Sequence, residues 1–222
     1  MVTIYDKGMN AEVLYSLLMA DLQDIGTFKE TEHRKIYVPD NPDLVYLVVI
    51  DHISLLRPNK GRSLKEEIDL VSSYLVTLRN MCRISPLVIM QANRDSAGME
   101  RRKQGLNNMR LSDTKDSGGP VQDAEIVISI FSPHRERLAT YNKYNIGILQ
   151  DKFRAITVLK NRYGEADVEV GVNFFGRCGI WKELPKPDEI YDYERYTSPN
   201  YILETDEPIT KDESKTDFNF VL

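Results

Sequence analysis

No apolar run in the 222 residues reaches the roughly 18–20 positions that a membrane-spanning helix needs. The opening residues, MVTIYDKGMN, lack the basic-then-apolar layout of a secretion signal. Both absences point to a cytoplasmic protein without a membrane partner. Cysteine is scarce. Cys82 and Cys178 stand far apart without metal-ligand spacing, so they read as reduced thiols rather than as a disulfide or a metal clamp. The pattern GxxxxGK[ST] is absent as well: Gly61 is followed by Arg62-Ser63, and Gly118-Gly119 by Pro120. These residues therefore contain no phosphate loop of that type.

Charge is present but unevenly spread. Residues 185–222 carry 4 Lys+Arg against 10 Asp+Glu, a net of −6, whereas the other 184 residues are at +1. The acidity of the whole chain, net −5, thus belongs to its end and does not argue against a nucleic-acid partner for the rest. With Pro185, Pro187, Pro199 and Pro208, that end reads as an extended or disordered acidic tail. The expected division is a domain over 1–184 and a tail over 185–222.

Hydrophobic residues make up 41% of the chain, enough for a globular core. Asn10 is a helix N-cap candidate, and Leu14, Leu17 and Leu18 follow at helical spacing, which predicts a helix over 11–22. Residues 26–43 read as loop with an extended piece at 35–38. LVYLVVI (44–50) is apolar throughout, the pattern of a strand covered on both faces of a parallel sheet. Ser63 and Glu66 form a capping box. Behind them Ile68, Val71, Leu75 and Leu78 mark one buried helix face. PLVIM (86–90) and EIVISIF (125–131) are further strands. AITVLKN (155–161) and VEVGVNF (168–174), joined by RYGEAD, read as a hairpin, and Trp181 as the residue that closes the core. Strand, long helix, strand, loop, strand predicts α/β with a largely parallel sheet.

Ligands of such sheets bind beyond the carboxyl ends of the strands, so the residues standing there matter most. Asp51 ends the first apolar strand, where an aspartate can hold Mg²⁺ beside a phosphate or simply cap a turn. Gln91 ends the next, where its amide can orient water, sense a γ-phosphate, or satisfy loose backbone groups. Lys160 and Arg162, two apart, share a strand face. They can grip a phosphate or be a solvated strand end. Residues 92–120 hold six Lys or Arg against four acids with few apolar anchors.

Together, in this order, VVIDHISLL, QANR, LSDTKDSGGPVQDAEIVISI and VLKNRYG resemble the motor domain of DnaB-family replicative helicases, phage primase-helicases included. DHIS resembles the Walker B strand end, DTKDSGGPVQDAE the family's DLRESG and QDAD segment, and KNRYG its KxRxG segment. The likeness spans roughly residues 1–184. It implies a RecA-like P-loop NTPase core, with a mostly parallel twisted sheet, flanking helices and a C-terminal β-hairpin. The first, phosphate-loop strand is missing, so the chain resembles the C-terminal two-thirds of such a domain. It further implies ATP and Mg²⁺ as cofactors. Asp51 would stand on the metal side and Gln91 would sense the γ-phosphate, while Lys160 and Arg162 would reach a neighbouring subunit's nucleotide. Arg110, Lys115, Asp116, Ser117, Gly118 and Gly119 would hold single-stranded DNA, the glycines letting backbone N–H groups approach a phosphate. The implied partners are single-stranded DNA, other copies in a hexameric ring, a separate chain carrying the phosphate loop, and a primase, in a bacterial or phage-infected cell. Two alternatives stay open: a RecA- or RadA-like recombinase, and a non-catalytic RecA-fold protein for assembly or DNA binding.

Overall fold

The computed structural model describes residues 2–32, 35–91, 110–111 and 118–202. The chain falls into two compact units. Unit 1 comprises residues 1–128 and 158–167; unit 2 comprises 129–157 and 168–222.

Unit 1 begins with helix α1 (Ala11–Asp24). The Asn10 side chain accepts the Val13 N–H at 2.8 Å, the expected cap. Strands β1 (Gly26–Glu30) and β2 (Lys35–Pro39) pair antiparallel, so the region read as mostly loop holds a two-stranded ribbon. Its Phe28 and Tyr37 rings lie 5.0 Å apart. Strand β3 (Leu47–Ile50) pairs in parallel with β4 (Ser85–Val88), and between them runs α2 (Leu64–Cys82). The Ser63–Glu66 capping box forms in both directions. Val71 and Leu78 are fully buried, with Ile68 and Leu75 nearly so. One face of α2, together with Leu18, Leu22, Val48 and Ile53, makes the core of this unit.

The sheets depart from expectation in two respects. Among the described residues β3 and β4 form a separate two-stranded parallel sheet. Of residues 44–50 only Leu47–Ile50 is strand, and it is not covered on both faces. Val48 is 7% exposed, but Leu47 and Val49 on the other face are 60% and 53% exposed. Leu87 and Ile89 continue this exposed face at 53% and 43%.

Short helix α3 (Gly118–Asp123) lies in unit 1 and packs on α2. Next comes β5 (Ile126–Phe131), followed by the small ribbon β6 (Thr140–Tyr141) and β7 (Tyr144–Asn145) and the turn of helix α4 (Ile146–Leu149). Strands β8 (Phe153–Asn161), β9 (Val168–Phe175) and β10 (Ile180–Glu183) complete a sheet of order β10-β9-β8-β5. The β1–β2, β6–β7 and β9–β10 pairs are antiparallel, so the described strands do not make one mostly parallel sheet. β8 and β9 are neighbours joined by residues 162–167, the expected hairpin. Residues 126–128 of β5 and 158–161 of β8 belong to unit 1, the remainder to unit 2.

The core of unit 2 is aromatic. Phe153, Ile146 and Leu149 are fully buried, and the Tyr144 and Phe153 rings lie 4.9 Å apart. That pair explains Gly171: a Cβ there would stand 2.8 Å from the Tyr144 ring and 2.9 Å from Phe153. Trp181 does not close this core. It is 45% exposed and tilts against Phe174 at the surface, ring centroids 4.4 Å apart. The stretch after Pro185 is not extended as expected. Through residue 202 it forms short helical turns and helix α5 (Tyr193–Thr197). Ile190 and Tyr201 are buried in the unit 2 core, and Tyr201 donates its hydroxyl to the Glu183 carbonyl at 2.9 Å. Aromatic anchors set irregularly among acids and prolines leave no periodic trace, which is why composition alone suggested disorder.

Candidate functional site

All candidate residues that the structure describes lie in unit 1. The parallel pairing of β3 and β4 brings two of them to one sheet edge. Ile50 stands opposite Val88, and the Ile53 and Ile89 amides extend the pairing to Ile89 and Ile50. Asp51 follows β3 directly, and Gln91 lies two residues beyond the position opposite it. That offset is about 7 Å along the strand at the usual rise. Both side chains are exposed. Among the described residues the Asp51 carboxylate has no hydrogen-bond or salt-bridge partner.

The other pair, Lys160 and Arg162, shares a face as expected, and both side chains are engaged within their own chain. Lys160 Nζ donates to the carbonyls of Val121 and Gln122 at 3.0 and 2.8 Å, and Arg162 Nη2 to that of Gln122 at 3.2 Å. These are among the last carbonyls of α3, which have no partner inside the helix and carry its negative end. Arg162 Nη1 also meets both oxygens of Glu125, at 3.0 and 3.2 Å. Glu125 is held in turn by Arg79 of α2 at 2.9 Å. Neither Glu125 nor Arg79 was singled out from sequence. The signal was there in QDAE: an acid between a helix end and a strand, directly before a serine-interrupted apolar run.

The glycine pair has a concrete structural reason. The Gly119 N–H donates to Asp69 Oδ1 of α2 at 3.2 Å, and a Cβ at 119 would stand 2.5 Å from that oxygen. What comes close to this glycine is a carboxylate of the same chain. Its amide is therefore occupied in this conformation and is not presented to a phosphate. Ser72 of α2 donates to Asp123 at 2.7 Å, so α3 is tied down at both ends. Arg110 is exposed. Gly118 opens α3. Lys115, Asp116 and Ser117 lie outside the described residues.

A second polar network went unnoticed in the sequence. Glu67 of α2 is fully buried; it accepts the Ala11 N–H and pairs with Arg62 at 2.9 Å. Arg62 also meets Glu12 at 2.8 Å. Through Arg62 the loop RPNKGR thus clamps α1 to α2. The Arg62 guanidinium holds the Glu12 carboxyl below its usual range, and the two carboxylates raise Arg62. A cavity of about 660 Å³ belongs to unit 2, with Arg135, Arg154 and Phe174 among its walls, and none of the candidate residues lines it.

Among the described residues no cluster of three or more His, Cys, Asp or Glu could hold a metal by itself. Asp51 alone fits Mg²⁺ of the kind that arrives with a nucleotide, because such an ion keeps its waters and needs only one or two protein carboxylates beside the phosphates. Cys82 and Cys178 are both free thiols. No described helix is long and apolar enough to cross a membrane.

A helix between two parallel strands is an α/β unit. The structure is similar to a solved ATPase domain, with TM-score 0.60 and 19% identity over 82% of this chain and 55% of that one. It is also similar to a DnaB-like replicative helicase studied with primase, with TM-score 0.59 and 19% identity over 82% of this chain and 38% of that one. The fold is thus the RecA-like ATPase fold. No curated protein sequence matches significantly. The family model of the DnaB-like helicase C-terminal domain matches residues 16–182, and the chain belongs to that family. It spans about half or less of the solved proteins it resembles.

Proposed function

We propose that this chain is part of an ATP-dependent replicative DNA helicase, working on single-stranded DNA as a hexameric ring with ATP and Mg²⁺. The observation that carries the reading is the edge at β3 and β4, where Asp51 stands exposed and, among the described residues, without a partner, near Gln91 in a chain of this family. Bound Mg²⁺–ATP would supply the transferable phosphoryl group and the charge that neutralises it. Asp51 would hold the metal's water shell, and Gln91 would donate to the terminal phosphate. Lys160 would turn from the α3 carbonyls to a neighbour's phosphates, where negative charge develops, and Arg162 would meet them from where it is held. Lys115, with Arg110, Asp116, Ser117 and Gly118, would contact the DNA backbone; Gly119 would act there through its packing on Asp69. Family membership favours this reading over a recombinase.

The uncovered apolar face of β3 and β4 is where the rest of the ATPase fold would seat, whether on the same polypeptide or on a separate chain carrying the phosphate loop. A primase is a further candidate partner. The absence of GxxxxGK[ST] from these 222 residues supports a second reading, an assembly or DNA-binding protein without catalysis. The 222 residues alone are expected to hydrolyse ATP no faster than background.

The test uses a ring that includes the phosphate-loop part. Arg162→Ala is expected to lower turnover ~10³-fold, as loss of an arginine finger does, with DNA binding kept. Lys115→Ala is expected to weaken DNA binding and reduce its salt slope by about one phosphate contact. Mixtures of Arg162→Ala and Asp51→Ala subunits are expected to recover activity, because a shared site takes one intact half from each. Inactive mixtures would place Arg162 in its own subunit's site or in no site.

A further inference from the structure

We propose that Glu125 is the positioning residue of Arg162, with Arg79 as the anchor that holds Glu125 itself. The proposal rests on the reading of Arg162 as the side chain that reaches a neighbour's nucleotide. Arg162 lies one residue beyond the end of β8, where a long side chain would ordinarily sample many rotamers. Two independent bonds from Glu125 limit it. The Arg162 N–H donates to the Glu125 carbonyl at 3.0 Å, which ties the end of β8 to the start of β5. The Glu125 carboxylate then takes Nη1 in a two-oxygen contact.

The carboxylate is itself fixed from the opposite side. Arg79 Nη1 meets Glu125 Oε1 at 2.9 Å and the Asp123 carbonyl at 3.3 Å. Arg79 comes from the last turn of α2, a helix anchored by a capping box and a buried stripe. The guanidinium at the strand end is thereby referred to the rigid core of unit 1. The exposures run in the order such a support needs: the side chains of Glu125 and Arg79 are 24% and 27% exposed, and that of Arg162 is 49% exposed.

The charge count keeps the site attractive to phosphate. One carboxylate serves two guanidinium groups, so a positive charge is left over. Nη1 faces Glu125 and Nη2 faces the Gln122 carbonyl, which leaves the Nε–H open, among the described residues, to an incoming oxygen. A guanidinium held at Nη1 and Nη2 presents its Nε–H in a fixed direction, ready for a charge-assisted bond to a phosphate oxygen. Ordering it in advance spares that cost when charge develops.

Two measurements test this. In the full chain, side-chain ¹⁵N spectra of Glu125→Gln are expected to show the Arg162 guanidinium shifted and exchange-broadened, while Arg154 in unit 2 is unchanged. An unaltered Arg162 signal overturns the proposal. In the assembled ATPase, Glu125→Gln is expected to lower kcat about tenfold with KM within twofold, and Glu125→Asp to restore most of it. The double variant Glu125→Gln with Arg162→Ala is expected to be no slower than Arg162→Ala alone; additive losses overturn the proposal. Should Glu125→Gln fold poorly, Arg79→Ala loosens the same carboxylate from outside and is expected to cost two- to fivefold in kcat. Full turnover in Arg162→Ala would remove the functional reading on which the proposal rests, and the spectra would still say whether Glu125 holds Arg162.

Discussion

The two units solve the problem of burying a sheet differently. In unit 2, Ile146, Leu149, Phe153 and Ala155 are entirely closed off, and chain after Pro185 returns to supply Ile190 and Tyr201. In unit 1, β3 and β4 have one face on α2 while Leu47, Val49, Leu87 and Ile89 look outward, 43–60% exposed. A contiguous apolar face of this kind marks a contact surface rather than a finished exterior. The unit that carries the candidate chemistry is the one whose packing calls for more polypeptide. Unit 2 has a closed core, but its surface still shows Ile130, Ile180 and Trp181, which are 57%, 40% and 45% exposed.

The sharpest way to break this contrast is truncation on each side. Phe153→Ala is expected to cost about 3–5 kcal/mol, as removing a fully buried ring does. Leu87→Ala is expected to stay within about 0.5 kcal/mol, as for a surface site. Urea unfolding of the full chain measures both, and equal losses would show that the outward face is covered in solution.

Tyr201→Ala sharpens the boundary of unit 2. It removes a buried ring and a hydrogen bond to Glu183, so a loss of about 2–4 kcal/mol is expected. An unchanged melting temperature would mean that the stretch after Pro185 does not pack.

Acid should act on unit 1 through the clamp between α1 and α2. The Glu12 carboxyl is lowered by its Arg62 partner, and Glu66 by the Ser63 backbone and hydroxyl. Groups with a lowered folded pKa stabilise the fold above their ordinary value of 4.5, and that contribution is lost as pH falls through the depressed value. Unfolding midpoints between pH 7 and 3 should therefore fall less steeply in Glu12→Gln than in the parent. Parallel curves would detach Glu12 from the clamp.

The smallest effect concerns the thiols. Burial pushes Cys82 up to about 11, so at pH 8 it holds almost no thiolate, whereas Cys178 is exposed. Ellman's reagent is expected to titrate one thiol quickly in the native chain and the second only on unfolding. Two fast thiols would mean that unit 1 opens readily.

Local features were the most legible in the sequence. Asn10, Ser63 and Glu66 announce their caps because side chain and backbone within four residues make them. The strand-end positions of Asp51 and Gln91 follow from where apolar runs stop. Features that depend on distant partners were hidden. Glu67 reads as an ordinary helix-surface acid until Arg62 and the Ala11 amide close on it. Glu125 gains its meaning only when the end of β8 returns beside β5. The apolar run at 44–50 signals burial on both faces, yet these residues cover only one. Gly119 called for a close approach, and the approaching group was Asp69 rather than a ligand.

The outward face of β3 and β4 also sets how a solution of this chain will behave on the bench. Among the described residues β4 has one strand partner, so its other edge offers open backbone groups beside Leu87 and Ile89. To a second molecule this is an adhesive ribbon. Apolar attraction weakens on cooling, so a concentrated stock should stay clear in the cold room, cloud as it warms, and clear again if chilled before the clusters harden.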